Sequence, residues 1–210
     1  MYNNDLDEKM NFLAHIYLSG NSNEIRLGNF IADYVKGAEH TRYPTLVQRG
    51  ILLHRKIDYF TDTHPIVKRH KLLFQPKYRK HAGVVTDIIY DHFLASEWHH
   101  FSDIPFDDYV AQVHDWLNDY MESIPLEMRR IMPGFIKNSW LQSYRTLEGI
   151  ESVLIGMSKG TSMPPENAFA IYVMHKNYQS LKKDFFAYFE LLCEYSQKEL
   201  DRMEMEGNRS

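Results

Sequence analysis

The spacing of hydrophobic residues along the chain predicts helices almost throughout. Residues 44–62 place apolar side chains at intervals of three and four, the repeat expected when one face of a helix is buried. A similar pattern over residues 22–37 lies between Ser22, which favours a helix start, and Gly37, which favours a helix end. Residues 82–101 are apolar without a turn signal, and a segment of that length favours a buried helix over a strand.

Helices are also predicted in the second half of the chain. Pro105 introduces a segment with one apolar face, and two helices are expected to meet near residues 146–148. A last long helix is predicted to open after Pro164 and Pro165. Repeats, low-complexity segments, glycine-rich phosphate loops and linkers are not found, so the sequence predicts one all-α domain, a single helical bundle.

The helix predicted over residues 44–62 carries an unusual polar stripe. His54, Asp58 and Asp62 recur at every fourth position, and because a helix turns about 100° per residue they lie about 40° apart on one side. Leucine, isoleucine and aromatic residues occupy most of the remaining surface. Burying carboxylates costs several kcal/mol each unless a positive group satisfies them, so the stripe predicts a cleft that holds a cation.

A second apolar helix repeats this combination of side chains. The segment "DIIYDHFL" contains Asp87, Asp91 and His92. Two such helices predict one shared divalent metal, and the number of carboxylates favours Mn²⁺ or Mg²⁺ over Fe²⁺ or Zn²⁺. His15 and Asp33, each in another apolar segment, could complete the site.

Several of these residues also have structural interpretations. His15 could be a hydrogen-bonded core histidine, and Asp33 could cap a helix or pair with a lysine. Asp62 could bond to the turn at residues 63–65, and Asp87 could pair with a nearby basic residue.

A metal site of this kind predicts hydrolysis of a phosphoester. The metal would lower the pKa of bound water and offset charge on phosphate oxygens, while a nearby carboxylate or histidine transfers a proton. Arg55 and Lys56, beside the ligands, could hold the remaining phosphate charge or could instead form solvent-facing pairs. The residues by themselves do not name the substrate.

Composition and charge narrow the choice of partner and compartment. The net charge is −4, but residues 36–81 contain eleven lysine and arginine residues against three acidic ones, which predicts an anionic partner unless these charges are simply solvated. The pI near 6.2 and the absence of an aromatic stacking pattern do not favour nucleic acid. Neither a membrane-spanning run nor a signal peptide is found, and Cys193 is the only cysteine, so a cytoplasmic location is expected.

Six blocks of the sequence resemble, in order, the bacterial acyl carrier protein phosphodiesterase family. They are "MNFLAHIYLS", "LGNFIADYVKG", "HRKIDYFTDTHP", "DIIYDHFL", "WLQSYRTLEGIESVLIGMS" and "YQSLKKDFFAYFELL". The resemblance implies hydrolysis of the phosphodiester between 4′-phosphopantetheine and a serine of holo-acyl carrier protein, with Mn²⁺ or Mg²⁺ required. It also implies a distant relation to the HD phosphohydrolases, although the adjacent pair here, Asp91-His92, is reversed and the other pair is split as His54-xxx-Asp58.

The resemblance implies roles for particular residues and a division of the chain. It divides the chain into an N-terminal extension (1–9), a catalytic domain (10–195) and a charged, mobile tail (196–210). The implied metal ligands are Asp33, His54, Asp58, Asp91 and His92, and the implied catalytic residues are His15 and Asp62. The substrate contacts predicted from their position beside these ligands are Arg55 and Lys56.

The acidity of carrier proteins gives the basic segment a specific interpretation. Lys68, Arg69 and Lys71 are predicted to form a docking surface for the carrier protein. An HD-like phosphohydrolase acting on a nucleotide or another small phosphodiester is the alternative enzyme. A di-iron bundle is disfavoured because only one Glu-x-x-His motif is present, Glu97 to His100. A non-catalytic binding module is disfavoured by the apolar setting of the His/Asp pairs. The oligomeric state is left open.

Overall fold

A computed structural model of the protein describes residues 12–207, and over this range it contains α-helices and short 3₁₀ turns but no β-strand. The prediction of an all-α fold is therefore confirmed. The predicted extension over residues 1–9 lies outside the described residues. The helices are α1 (Phe12–Tyr17), α2 (Asn23–Ile31), α3 (Thr45–Thr63), α4 (Pro65–Tyr78), α5 (Ala82–Ser96), α6 (Phe106–Asp119), α7 (Leu126–Arg129), α8 (Met132–Lys137), α9 (Trp140–Ser143), α10 (Leu147–Gly160) and α11 (Asn167–Gly207).

Helix boundaries follow local chemistry that is visible in the sequence. The Ser22 side chain accepts a hydrogen bond from the backbone N–H of Ile25 and begins α2, as the sequence predicts. Thr146 does the same for Gly149 at the start of α10. Helix α4 begins directly at Pro65, whose missing N–H would have no partner in a first helical turn.

The core surrounds α5, which is buried on nearly every side. Side chains from Ala82 to Ala95 are buried, apart from the partly exposed Gly83 and Asp87, which explains why the segment is apolar without a helical period. The long helix α11 packs against α3, α4, α5 and α10, and it contributes aromatic side chains such as Phe185 and Phe189 to the core.

Two glycines set the closest helix crossing, between α2 and α3. A Cβ atom added to Gly28 would lie 2.0 Å from the backbone oxygen of Val47, and one added to Gly50 would lie 2.0 Å from that of Ile25. The two backbones are therefore in direct contact at this crossing. Because Gly50 lies one helical turn before His54, the crossing presses the predicted polar stripe of α3 against the end of α2.

Most of the segment predicted as a charged, mobile tail (196–210) lies within the described residues. Residues 196–207 continue α11, and Ser196, Leu200 and Met203 are buried. Glu199 forms an ion pair with Lys56 on α3. Because these buried positions recur every three or four residues, one face of this part of α11 packs against the core. None of the described helices is long and apolar enough to cross a bilayer.

Candidate metal centre

Four side chains from α1, α3 and the 3₁₀ turn that follows α2 converge at the crossing of α2 and α3. His15 lies on α1, Asp33 on the 3₁₀ turn Ala32–Tyr34, and His54 and Asp58 on α3. The Nε2 atom of His54 lies 3.2 Å from Asp33 Oδ1 and 3.3 Å from Asp58 Oδ2, and the Nε2 atom of His15 lies 3.4 Å from Asp58 Oδ1. The two imidazole rings are stacked, with centroids 4.0 Å apart.

Asn29 holds both imidazoles in one orientation. Its Nδ2 group donates to the backbone oxygen of His15 and to Ser19 Oγ, which fixes Oδ1 as an acceptor. The Nδ1–H of His15 donates to Asn29 Oδ1 over 2.7 Å, and the Nδ1–H of His54 donates to the Asn29 backbone oxygen over 2.8 Å. Both histidines therefore carry their first proton on Nδ1, and the Nε2 atoms face the carboxylates.

This arrangement fits a divalent metal. Each Nε2 lone pair is directed at carboxylate oxygens. The lone pairs and the carboxylates repel each other unless a cation lies between them. His15 Nε2 is buried and has no hydrogen-bond partner among the described residues. One ligand atom each from His15, His54 and Asp58 lies within 4.8 Å of the others, and a partner on the second ring nitrogen is the usual way proteins orient metal-binding histidines.

The pKa values of these groups point to the same need for positive charge. Burial by itself lowers the pKa of His54, but Asp33 and Asp58 outweigh burial and raise that pKa to about 10. Burial and the adjacent His54 lower the pKa of His15. Burial would raise the pKa of Asp58, yet His54 and His15 hold it far below its usual range. A proton on His54 can supply the charge that a bound metal would otherwise supply.

The carboxylates form the open side of the cluster. The side chains of His15 and His54 are only 3% and 5% exposed, whereas those of Asp58 and Asp33 are 18% and 25% exposed. A substrate would therefore approach the cluster from the side of Asp33 and Asp58.

Comparison with known proteins identifies the family. The family model described as "Acyl carrier protein phosphodiesterase" matches residues 10–192. Proteins carrying that name include one from Yersinia pestis, 29% identical over 90% of this chain and 98% of its own. Another, from Salmonella dublin, is 31% identical over 86% and 94%, and one from an Enterobacter species is 35% identical over 71% and 78%.

The chain belongs to the acyl carrier protein phosphodiesterase family. This confirms the predicted family and the predicted class of enzyme, a phosphoric diester hydrolase. No solved structure matches the chain, so the relation to HD phosphohydrolases stays a prediction.

In this family member, the structure separates Asp91 and His92 from the metal centre. Asp91 is fully buried and accepts hydrogen bonds from the backbone N–H groups of Leu13 and Ala14, so it caps the first turn of α1. His92 bonds through Nδ1 to the Tyr144 backbone oxygen and through Nε2 to the Tyr178 hydroxyl. Neither side chain is in the group formed by His15, His54 and Asp58. As adjacent residues of a helix they point about 100° apart, so Asp91 meets α1 while His92 meets Tyr144.

Asp62 also lies apart from the metal centre. Its side chain is 54% exposed and pairs with Lys71 over 2.6 Å. Asp62 follows Asp58 by one turn of α3, and at that position its carboxylate meets Lys71 of α4. The sequence offered a catalytic role or a bond to the turn at residues 63–65 for Asp62, and the ion pair with Lys71 is neither of these.

The predicted substrate contacts have protein partners instead. The guanidinium of Arg55 donates to the backbone oxygens of Val35 and Gly37, which holds the turn after Asp33 in place. Lys56 pairs with Glu199 of α11. These contacts hold the turn after Asp33 and helix α11 against α3. In them, the charged groups of both residues bind other parts of the protein and not the cluster.

The predicted docking residues lie on α4, where two of the three are paired. Lys68 is exposed, Arg69 is 57% exposed and pairs with Asp184, and Lys71 pairs with Asp62. Glu97, from the one Glu-x-x-His motif of the sequence, also has a partner. Its carboxylate forms an ion pair with Lys182 over 2.6 Å.

Asn29, Gly28 and Gly50 were missed by the sequence analysis, although each leaves a signal. Asn29 is a polar residue in the apolar run "LGNFIA", one position after Gly28. Gly50 occupies the interior of a helix, where glycine is unfavourable unless a close approach requires it.

Proposed function

We propose that the protein hydrolyses the phosphodiester that joins 4′-phosphopantetheine to a serine of holo-acyl carrier protein, releasing apo-carrier protein and 4′-phosphopantetheine. The observation that supports this most directly is the geometry of His15 and His54. Asn29 binds the Nδ1 atom of each ring, and the Nε2 atoms converge with Asp58 and Asp33. The names of the relatives supply the substrate class.

The proposed reaction depends on a divalent metal held by His15, His54 and Asp58. When bound, the metal lowers the pKa of a water molecule and offsets the charge of the phosphodiester oxygens. Two imidazole nitrogens with carboxylate oxygens suit Mn²⁺ better than Mg²⁺, which prefers oxygen ligands alone. Mn²⁺ is therefore the proposed ion. His15, predicted from the sequence as catalytic, is reassigned here to metal binding.

Asp33 is proposed to accept the proton of the attacking water. It is the more exposed of the two carboxylates, and its recorded contact within the cluster is with His54 alone. Asn29 keeps both histidines in the tautomer that leaves Nε2 available, and Arg55 holds the turn that carries Asp33. If this division of roles holds, Asp33→Asn retains the metal but loses turnover, whereas Asp58→Asn loses both.

The carrier protein is proposed to dock on the exposed basic surface of α4. Reversing charge at Lys68, Arg69 and Lys71 is expected to raise KM more than it lowers kcat, because steering affects association more than chemistry. Reversal at Arg69 or Lys71 also breaks an ion pair, so Lys68→Glu is the cleanest single change, and Asp184→Asn with Asp62→Asn control for the lost pairs. An unchanged KM would remove α4 from the docking surface.

The deciding experiment incubates purified protein with holo-carrier protein and Mn²⁺ and weighs the carrier by mass spectrometry. Loss of the 4′-phosphopantetheine mass, abolished by EDTA and by Asp58→Asn, is the expected result. An intact carrier after incubation with folded, metal-loaded protein would contradict the proposal. Comparable turnover of a small phosphodiester and of holo-carrier protein would favour the alternative, an HD-like phosphohydrolase.

A further inference from the structure

A cleft of about 470 Å³ is enclosed by the start of α1, the α7–α9 segment and α10. Its near wall is Tyr34, the residue next to Asp33, together with Phe12 at the start of α1. Its far walls are the α7–α9 segment and the C-terminal end of α10, represented by Trp140 and Gly156. The volume lies in the range of small-molecule binding clefts, which is about 300–1,000 Å³.

Tyr34 connects the cleft to the metal centre along the chain, because it directly follows Asp33. Burial raises the pKa of its hydroxyl to about 12, and the charges of Asp33 and Glu127 add to the rise. Glu127 itself lines the cleft. The chain therefore places a residue of the cleft wall directly after a carboxylate of the metal centre, and Glu127 adds a carboxylate to the cleft.

The walls of the cleft combine apolar surfaces with hydrogen-bonding groups. Phe135, Trp140 and Met157 supply apolar area, whereas Arg130 and Asn138 supply polar groups. The rings of Phe135 and Trp140 are nearly parallel, with centroids 6.1 Å apart. A bare hydrocarbon chain would make no hydrogen bonds to Arg130 or Asn138, so the mixed walls better fit a slender ligand in which amides alternate with short aliphatic stretches.

Glycines on α10 keep one wall of the cleft open. A Cβ atom added to Gly156 would meet the Trp140 ring at 3.8 Å, an ordinary contact, and one added to Gly160 would have no atom within 4 Å. The helix could therefore accept larger residues at both positions, and the space they would take belongs to the cleft.

We propose that this cleft holds the pantetheine arm of the substrate while the phosphodiester lies at the metal centre. The arm is a linear chain with two amides, a hydroxyl beside a geminal dimethyl group, and a terminal thiol, which matches the mixed walls. This assignment rests on the proposed function, since it makes the cleft the site of the departing phosphopantetheine.

The test fills the cleft from the α10 side without touching the metal centre. Gly156→Phe places a ring beside Trp140, and Gly156→Ala serves as the matched control because its single methyl group leaves the cleft open. We expect Gly156→Phe to lower kcat/KM for holo-carrier protein by about tenfold or more, with hydrolysis of bis(p-nitrophenyl) phosphate unchanged, because that diester has no arm. Gly160→Phe replaces Gly156→Phe if circular dichroism shows that the latter fails to fold.

Direct binding separates this proposal from the proposed function. Calorimetric titration of pantetheine into EDTA-treated protein should show binding to wild type and to Gly156→Ala, and loss of binding to Gly156→Phe. If wild type leaves holo-carrier protein intact yet shows this binding pattern, the proposed function fails while the ligand of the cleft stands.

Three results would overturn the assignment. The first is equal turnover of holo-carrier protein by Gly156→Phe and wild type. The second is pantetheine binding that the phenylalanine does not alter. The third is a loss confined to carriers with long acyl chains while unacylated holo-carrier is cut normally, which would place the acyl group, not the arm, in the cleft.

Discussion

Helices α3 and α5 each carry a buried histidine with a nearby aspartate, but only α3 contributes to the metal centre. On α3, His54 and Asp58 are four residues apart and share one face, so both side chains reach the same point, 3.3 Å from each other. On α5, Asp91 and His92 are adjacent and diverge, one towards α1 and the other towards Tyr144. Spacing, rather than residue type, separates a metal centre from a pair of structural hydrogen bonds.

The environment of the two pairs confirms this difference. Asp91 receives two backbone N–H groups and His92 has a partner on each ring nitrogen, so the hydrogen-bonding capacity of both is used by the protein. His15 Nε2, in contrast, is buried without a hydrogen-bond partner among the residues described, and it faces Asp58. A buried nitrogen without a hydrogen-bond partner needs an explanation, and for His15 Nε2, which faces a carboxylate and lies near His54, a bound cation supplies one.

Replacing the α3 aspartate should have the largest effect. Asp58→Asn is expected to abolish binding of the metal and to lower turnover by more than about a hundredfold, since even residues behind a metal ligand contribute 10–100-fold. Asp62→Asn, one turn further along the same helix, is the matched control and should retain most of the activity because Asp62 pairs with Lys71. Metal content by mass spectrometry and turnover of holo-carrier protein are the measurements. Equal losses in the two variants would return Asp62 to the site.

The helix crossing beneath α3 should be nearly as sensitive. Gly50→Ala places a Cβ atom 2.0 Å from a backbone oxygen of α2, and because backbone cannot move aside like a side chain, the helices must separate. We expect a loss of about 3 kcal/mol or more in the free energy of unfolding, together with weaker metal binding. Urea denaturation measures the first quantity and metal titration the second.

The control for this change lies on α10. Gly160→Ala has no neighbour within 4 Å and should leave stability equal or slightly higher. A stable Gly50→Ala variant with normal metal affinity would show that the crossing is not what assembles the centre.

The α5 aspartate should matter for stability rather than for metal binding. Asp91→Ala leaves the N–H groups of Leu13 and Ala14 buried without an acceptor, which is expected to cost about 2 kcal/mol of stability. Asp91→Asn keeps one acceptor oxygen and should cost less. At a saturating concentration of metal, both Asp91 variants should bind the same number of metal ions per chain as wild type. Loss of the metal from a fully stable variant would show that Asp91 is a ligand after all.

We expect the smallest effect from His92 on α5, and it concerns the pH dependence of the free energy of unfolding. Burial lowers the pKa of His92, so the unfolded chain binds a proton more readily than the folded one. Its contribution to stability is therefore complete above the unfolded pKa of about 6.5 and is lost as pH falls below it, by at most about 1.4 kcal/mol per pH unit.

A substitution can isolate that contribution from those of the other histidines. His92→Asn keeps a donor for the Tyr144 oxygen but does not titrate, so its stability should fall less steeply than that of wild type between pH 6.5 and 5. Urea midpoints at several pH values measure the slope. Parallel slopes in the two proteins would mean that His92 is protonated equally in both states.

The sequence by itself determined the all-α fold, the family and the α3 half of the candidate site. Helix period, capping residues and the four-residue spacing of His54 and Asp58 are local properties, and local properties can be read from the chain without knowledge of its packing. The same spacing argument carried Asp62 too far, because one turn beyond Asp58 the side chain is exposed and pairs with Lys71 of α4.

Only the tertiary structure decided which distant residues complete the site. Asn29 acts through an amide oxygen that contacts the Nδ1 atoms of two imidazoles from other helices. Gly28 and Gly50 act through the contact of two backbones. The partners of Asp91 and His92 lie 52 to 86 residues away in sequence. Since a helix buried on all sides gives no periodic signal for which face meets which neighbour, α5 could be recognised as a core helix from its sequence, but the direction of its polar side chains could not.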